Sequence, residues 1–222
     1  MTESNCHVPL RDKTKLISNV GIILGTITGF LVVGRLAFKQ FVAKTGWSAD
    51  DWAILATTIV GVPSTVLGVH GTAANGLGKD VWTLPFDKIS NFGLYFYIIE
   101  ILYFADVALL KTSILLFYLR IFPTPRTRKA LWATLIVNGM FGVAFVVAAI
   151  FQCTPISYYW ENWHGEVDGM CLNVNAIGWS NAIISIVLDI WMIAIPLSQL
   201  PKLRLHWKRK LGVGLMFCVG IL

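Results

Sequence analysis

Four ionisable side chains lie in apolar surroundings where a charge is costly: Glu100, Asp106, Lys111 and Asp189. Inside a membrane such groups pair with one another, line a polar path or meet a ligand, so they are the first candidates for function. Glu100 and Lys111 are eleven residues apart, about three helical turns, and fall on nearly one face of a helix. Asp106 points roughly 120 to 140° away from them. If their helices start from the same side, Lys111 and Asp189 reach similar depths and an ion pair between them is geometrically allowed. Such a pair is either a switch that a ligand breaks or the mutual neutralisation of two otherwise intolerable charges. Glu100, beside Tyr95, Tyr97 and Tyr103, either lines a ligand cavity or is hydrated in the aromatic belt of a membrane interface.

Catalytic signatures are missing from the sequence. It contains no HExxH, no GxSxG and no Walker loop, and His7, His70, His164 and His206 are too scattered to suggest a metal site. The sequence therefore predicts neither an enzyme nor a metal centre. GLGKDVW, at Gly76 to Trp82, superficially resembles a glycine-rich phosphate loop but lacks GxGxxG and follows an apolar run, so it predicts no nucleotide site.

The elements that must position the four charges are helices dissolved in lipid. Hydrophobic residues make up 56% of the chain and charged residues 14%, with a mean hydropathy of +0.68, more apolar surface than a soluble 222-residue core can hide. A hydrocarbon layer of roughly 30 Å needs about 20 apolar residues as helix, and lipid offers no partner for unpaired backbone groups. The pattern predicts an all-α, polytopic transmembrane bundle with spans at about 16–38, 52–70, 91–120, 131–152 and 176–200, after a tail at 1–15. The stretch at 211–222, LGVGLMFCVGIL, is half a span, so the transmembrane domain over 16–222 is expected to be truncated within a sixth. Arg11, Lys13 and Lys15 before the first apolar run resemble a signal peptide's basic region, yet the run is about twice a typical signal core, which favours an uncleaved span. No internal repeat or low-complexity linker divides the chain.

Charge sets the predicted orientation. With the N-terminus outside, Arg35, Lys39 and Lys44, then Arg120, Arg126, Arg128 and Lys129, then the basic run from Lys202 to Lys210 all face inward. Only the tail cations, Lys79 and Lys88 face outward, and Lys111 stays within a span. The three tail cations, and Asp50 and Asp51 in the first inner loop, argue the other way, but the later loops outweigh them. The net charge of +6 is thus mainly a basic inner face, which either attracts anionic lipid or a cytoplasmic signalling protein or simply fixes orientation. Short basic loops against a bilayer do not suit nucleic acid.

Cys153 and Cys171 flank the fourth loop, which this orientation puts in an oxidising space, so a disulfide closing that loop is expected. Cys6 and Cys218 have no evident partner. The loop carries Trp160, Glu161, Trp163, Glu166 and Asp168 without a cation, and is either an acidic, aromatic lid or an ordinary connection. Gly21, Gly25 and Gly29 form a small-xxx-small ladder expected to seat another helix of the same chain. Pro63 and Pro196 are expected to bend their helices.

In combination, several strings resemble the fungal rhodopsin-domain family, the group that includes satratoxin-cluster membrane proteins and PTH-like receptors. They are GWSADDW at Gly46 to Trp52, GLGKDVW, LKTSILLFYLRIF at Leu110 to Phe122, FQCTPISYYW at Phe151 to Trp160, GMC ending at Cys171, and the segment from Asp189 to Pro196. The resemblance implies seven spans, an outside N-terminus and a receptor-like protein sensing an outside small molecule, in the plasma membrane or an endomembrane. A transporter or accessory membrane component of secondary metabolism is the alternative. In the family a histidine often follows the glycine-rich outer turn, where Asp80 stands here. A Schiff-base lysine in an archetypal rhodopsin belongs to the seventh span and Lys111 lies in the third, so no chromophore or other cofactor is expected.

Overall fold

The computed structural model describes residues 12–43, 46, 48–165 and 168–199. Five of its helices are long and apolar enough to cross a membrane, so the chain forms the expected all-α bundle. Helix α1 (Thr14–Ala37) continues as a π-helical turn through Ala43, and α2 (Ala49–Val66) continues likewise through Ala73. The widened turn in α2 starts at Leu67, four residues beyond the imide of Pro63. Then come α3 (Phe86–Ile121), α4 (Pro125–Ile150), the short α5 (Tyr158–Glu161) and α6 (Val174–Gln199), which contains Pro196. The 211–222 segment, the basic run after Gln199, Cys6 and Cys218 lie outside the described residues.

The five long helices all begin earlier than hydropathy predicts, and in α2, α3 and α4 the reason is that charged residues that read as loop are wound into the first turns. Ser48 caps α2 and its backbone N–H donates to Asp51 Oδ2 at 3.1 Å, so Asp50 and Asp51 belong to that helix and not to the preceding loop. Pro125 opens α4 with its preset φ, carrying Arg126, Arg128 and Lys129 onto helix. Pro85 precedes α3, which starts at Phe86 and includes Lys88. At 36 residues α3 is about 54 Å long, well beyond the thickness of a hydrocarbon layer.

α3 is the central element. It packs against α2 and α4, while α1 lies on α2 and α6 on α4. α1 has no buried residue, and side chains such as Phe30 and Val33, 78% and 66% exposed, suit contact with lipid tails. The tightest core, Leu115, Leu131, Met192 and Ile195, sits where α3, α4 and α6 meet. Above it Asn138, fully buried on α4, donates through Nδ2 to Ala108 O at 2.9 Å and Thr112 Oγ1 at 3.1 Å on α3. One turn along, a Cβ added at Gly142 would come 2.5 Å from Ala108 Cβ, so the two backbones can meet only because Gly142 has no side chain. Gly142→Val is expected to cost about 1–3 kcal/mol in a detergent-unfolding titration. Gly139→Val, on the same helix with nothing within 4 Å, is expected to change little.

The glycine ladder of α1 is used in part. A Cβ at Gly25 would lie 3.1 Å from Thr65, and one at Gly21 3.7 Å from Val69, so both seat α1 on α2. Gly29 has nothing within 4 Å and borders open space, a correction to the expected three-rung contact: the helices diverge before the third rung. The glycine-rich turn after α2 needs positive φ at Gly76 (118°) and Gly78 (88°), and it anchors the start of α1. Lys13 N–H donates to Gly78 O at 2.9 Å and Thr14 Oγ1 to Leu77 O at 3.1 Å. Beside them, hydrogen bonds from the side chain and backbone of Thr14 hold the Asp12 carboxyl below its ordinary range.

Candidate functional site

Two ionic clusters and a cavity organise the bundle. At the end where α1 and α3 finish and α2 begins, Asp50 and Asp51 are each only 2% exposed and gather cations from neighbouring helices. Lys39 Nζ lies 2.6 Å from Asp51 Oδ1 and 3.1 Å from Asp50 Oδ2, and Arg35 Nη2 lies 3.0 Å from the same Asp50 oxygen. From α3, Arg120 donates to Ser48 Oγ at 3.0 Å and stands 3.7 Å from Asp50 Oδ1. The Arg35 guanidinium also sits 5.5 Å from the ring centre of Phe117. Sequence reasoning missed this junction; two adjacent acids between apolar runs read as ordinary loop charge.

Midway along the bundle the structure brings Lys111 and Asp189 together. The Lys111 ammonium, its side chain 6% exposed, forms a salt bridge with the Asp189 carboxylate and donates to Ser185 O at 3.1 Å. Asp189 is the open half of the pair, its side chain 53% exposed on the wall of a cavity. That cavity, about 1110 Å³ and open on one side, lies between α1, α2, α3 and α6. From α3 it receives Asp106, Leu110, Ser113 and Phe117, spaced so that they form one stripe of the helix. Asp106 faces α2, where a Cβ at Gly61 would meet its Oδ2 at 3.5 Å. Its Oδ1 is enclosed and has no hydrogen-bond partner among the described residues.

Glu100 belongs to neither feature. Gln152 Nε2 and Tyr159 OH donate to its Oε2 at 3.0 and 3.2 Å, which fixes the loop between α4 and α6 onto α3. Trp160 covers Gly93, where a Cβ would come within 2.9 Å, and Trp163 Nε1 donates to Ser90 Oγ at 3.1 Å. Burial, and after it the negative charge of Glu100, pushes the Tyr159 hydroxyl above its ordinary pKa, so it remains a donor across the physiological range. The expected disulfide between Cys153 and Cys171 closes this loop across a two-residue ladder of β1 (Cys153–Thr154) and β2 (Met170–Cys171). Glu100 is thus engaged in docking the loop and does not line the cavity between α1, α2, α3 and α6. Among the described residues no group of His, Cys, Asp and Glu is arranged to hold a metal ion.

Residues 34–222 match the family model described as the fungal rhodopsin domain. The chain is 32% identical over 126 residues to a SAT4 family membrane protein of Emericella nidulans, an alignment covering 55% of this chain and 32% of the relative. It is 27% identical over 227 aligned positions to Wortmanamides biosynthesis cluster protein C of Talaromyces wortmannii, covering 95% and 60% respectively. With Satratoxin biosynthesis SC1 cluster protein 4 of Stachybotrys chartarum the identity is 28% over 120 residues, 54% of this chain and 44% of the relative. The chain therefore spans between 32% and 60% of the length of these curated relatives. No solved structure matches it.

Proposed function

The chain belongs to the fungal rhodopsin domain family of multi-pass membrane proteins, and from that premise we propose that it is receptor-like, converting occupancy of the α1–α2–α3–α6 cavity into a change at its basic end. The observation that carries this reading is the Lys111–Asp189 pair: one partner is buried on the central helix and the other opens onto the cavity. A ligand that engages Asp189 competes with Lys111, and the released ammonium favours a different setting of α3. The same helix ends at Arg120, in the junction with Ser48 and Asp50. Charge asymmetry supports an outside N-terminus, with the junction facing the cytoplasm and a signalling protein there, in the plasma membrane. The output is signalling and not catalysis, since the sequence carries no catalytic signature.

The test is ligand-dependent activation of a heterotrimeric G protein in cells expressing the chain, read by a nucleotide-exchange sensor across a panel of lipophilic amines, alcohols and acids. An active compound is expected to raise exchange about fivefold or more, the lower end of ordinary coupling energies, and Lys111→Met is expected to raise the unliganded signal. A flat response to the whole panel, with the chain at the cell surface, overturns the reading.

A second reading has one observation in its favour: the names of two relatives tie them to biosynthesis clusters. If this chain is a transporter or accessory membrane component of secondary metabolism, Lys111→Met lowers metabolite flux at unchanged abundance. Such a polar path would lack its outer acid, because Glu100 is engaged with Gln152 and Tyr159.

A further inference from the structure

The cavity holds one carboxylate, that of Asp106, whose Oδ1 has no partner among the described residues. Three threonine hydroxyls of α2 that line the cavity are committed elsewhere. Thr57, Thr58 and Thr65 donate back along their own helix to Ala53, Ile54 and Gly61 carbonyls at 2.8 to 2.9 Å. On α1, Thr26 and Thr28 do the same toward Ile23 and Leu24 at 2.9 Å. The nearest ammonium on α3, Lys111, is held by Asp189 and by Ser185 O. Among the described residues the mid-bundle charges therefore comprise the Lys111–Asp189 pair and Asp106, in a space lined mostly by Leu, Ile, Val and Gly. An unpaired carboxylate in such surroundings is expensive, and a cation with its own N–H donors relieves both the charge and the missing hydrogen bond.

Resting on the reading of this cavity as the ligand site, we propose that it takes a lipophilic primary amine, with the ammonium on Asp106 and the apolar body along the Leu110 to Phe117 stripe of α3. Gly61 is the specificity-determining neighbour: its missing side chain leaves the approach to the Asp106 carboxylate open from α2. An alcohol of the same shape supplies a donor but no charge, and a carboxylic acid of the same shape is repelled. The amine can reach the site from the bilayer, as a single-chain base, or from water, as an arylalkyl amine.

The test uses the whole chain in phosphatidylcholine nanodiscs, with empty nanodiscs subtracted, and measures binding of dodecylamine against dodecanol and of 2-phenylethylamine against 2-phenylethanol. The amine is expected to bind about tenfold or more tightly than its alcohol, and the pair with the larger preference identifies a bilayer or an aqueous source. Asp106→Asn is expected to abolish the preference. Gly61→Val, which fills the space before the carboxylate without altering it, is expected to weaken amine binding in parallel, and it stands in if the Asn variant does not fold. Equal binding of amine and alcohol by the unaltered chain overturns the proposal, as does a preference that survives both substitutions. Amine binding with no G-protein response removes the receptor reading alone, and a G-protein response confined to compounds without an amine removes the amine alone.

Discussion

Asp189→Ala is expected to destabilise the bundle by about 3 kcal/mol or more, a loss that a second substitution, Lys111→Met, largely restores. The asymmetry follows from burial. Lys111 is 6% exposed, and once Asp189 is removed its ammonium keeps only the carbonyl of Ser185 at 3.1 Å. A lone ammonium with two idle donors in an apolar interior is the costly state; two apolar residues of matching volume are not. Asp189 is 53% exposed, but that surface faces the cavity or hydrocarbon, where water screens it little. The measurement is a double-mutant cycle by detergent-unfolding titration in mixed micelles. Strictly additive single-site losses would mean that the two side chains do not act as a pair.

Asp50→Ala is expected to cost a similar 3 kcal/mol or so and to loosen α1 first. Asp50 is 2% exposed and faces Arg35, Lys39 and Arg120, so its removal leaves cations from two helices around one remaining acid, Asp51. α1 contributes no buried side chain, and beyond Gly21 and Gly25 its hold on α2 comes chiefly from Arg35 and Lys39. A cysteine pair introduced at Gly25 and Thr65 should crosslink rapidly in the unaltered chain and several-fold more slowly with Asp50→Ala. Unchanged crosslinking would mean that the ionic junction does not hold α1. Asp12 and Lys79, a 3.4 Å pair at the opposite end with both side chains well exposed, should tolerate substitution with little effect.

The sequence made the helices, the disulfide and the depth of Lys111 and Asp189 legible, since each leaves a long-range mark: an apolar run of span length, cysteines flanking a loop, charges where none is cheap. It misled wherever a short-range cue had two meanings. Asp50 and Asp51 look like loop residues because charge interrupts hydropathy, although Ser48 followed by Asp51 is also a helix-start pattern. Asn138 and Gly142, which bind α4 to α3, leave no mark in an apolar run, because a single amide or glycine there carries no period. Glu100 among tyrosines reads equally as a cavity acid or as one hydrated in the interfacial belt, and only the fold reveals that Gln152 and Tyr159 return to claim its carboxylate. Gly29 continues the spacing of Gly21 and Gly25, but spacing cannot tell where two helices part.

Because α3 runs unbroken from Phe86 to Ile121, with docking points at Glu100, Lys111 and Arg120, it works as a crankshaft more than as a set of independent sites. Turning a rod about 10 Å across through 30° sweeps its rim by about 3 Å, enough to part a hydrogen bond. A twist begun at any one bearing would be carried along the unbroken helix to the other two.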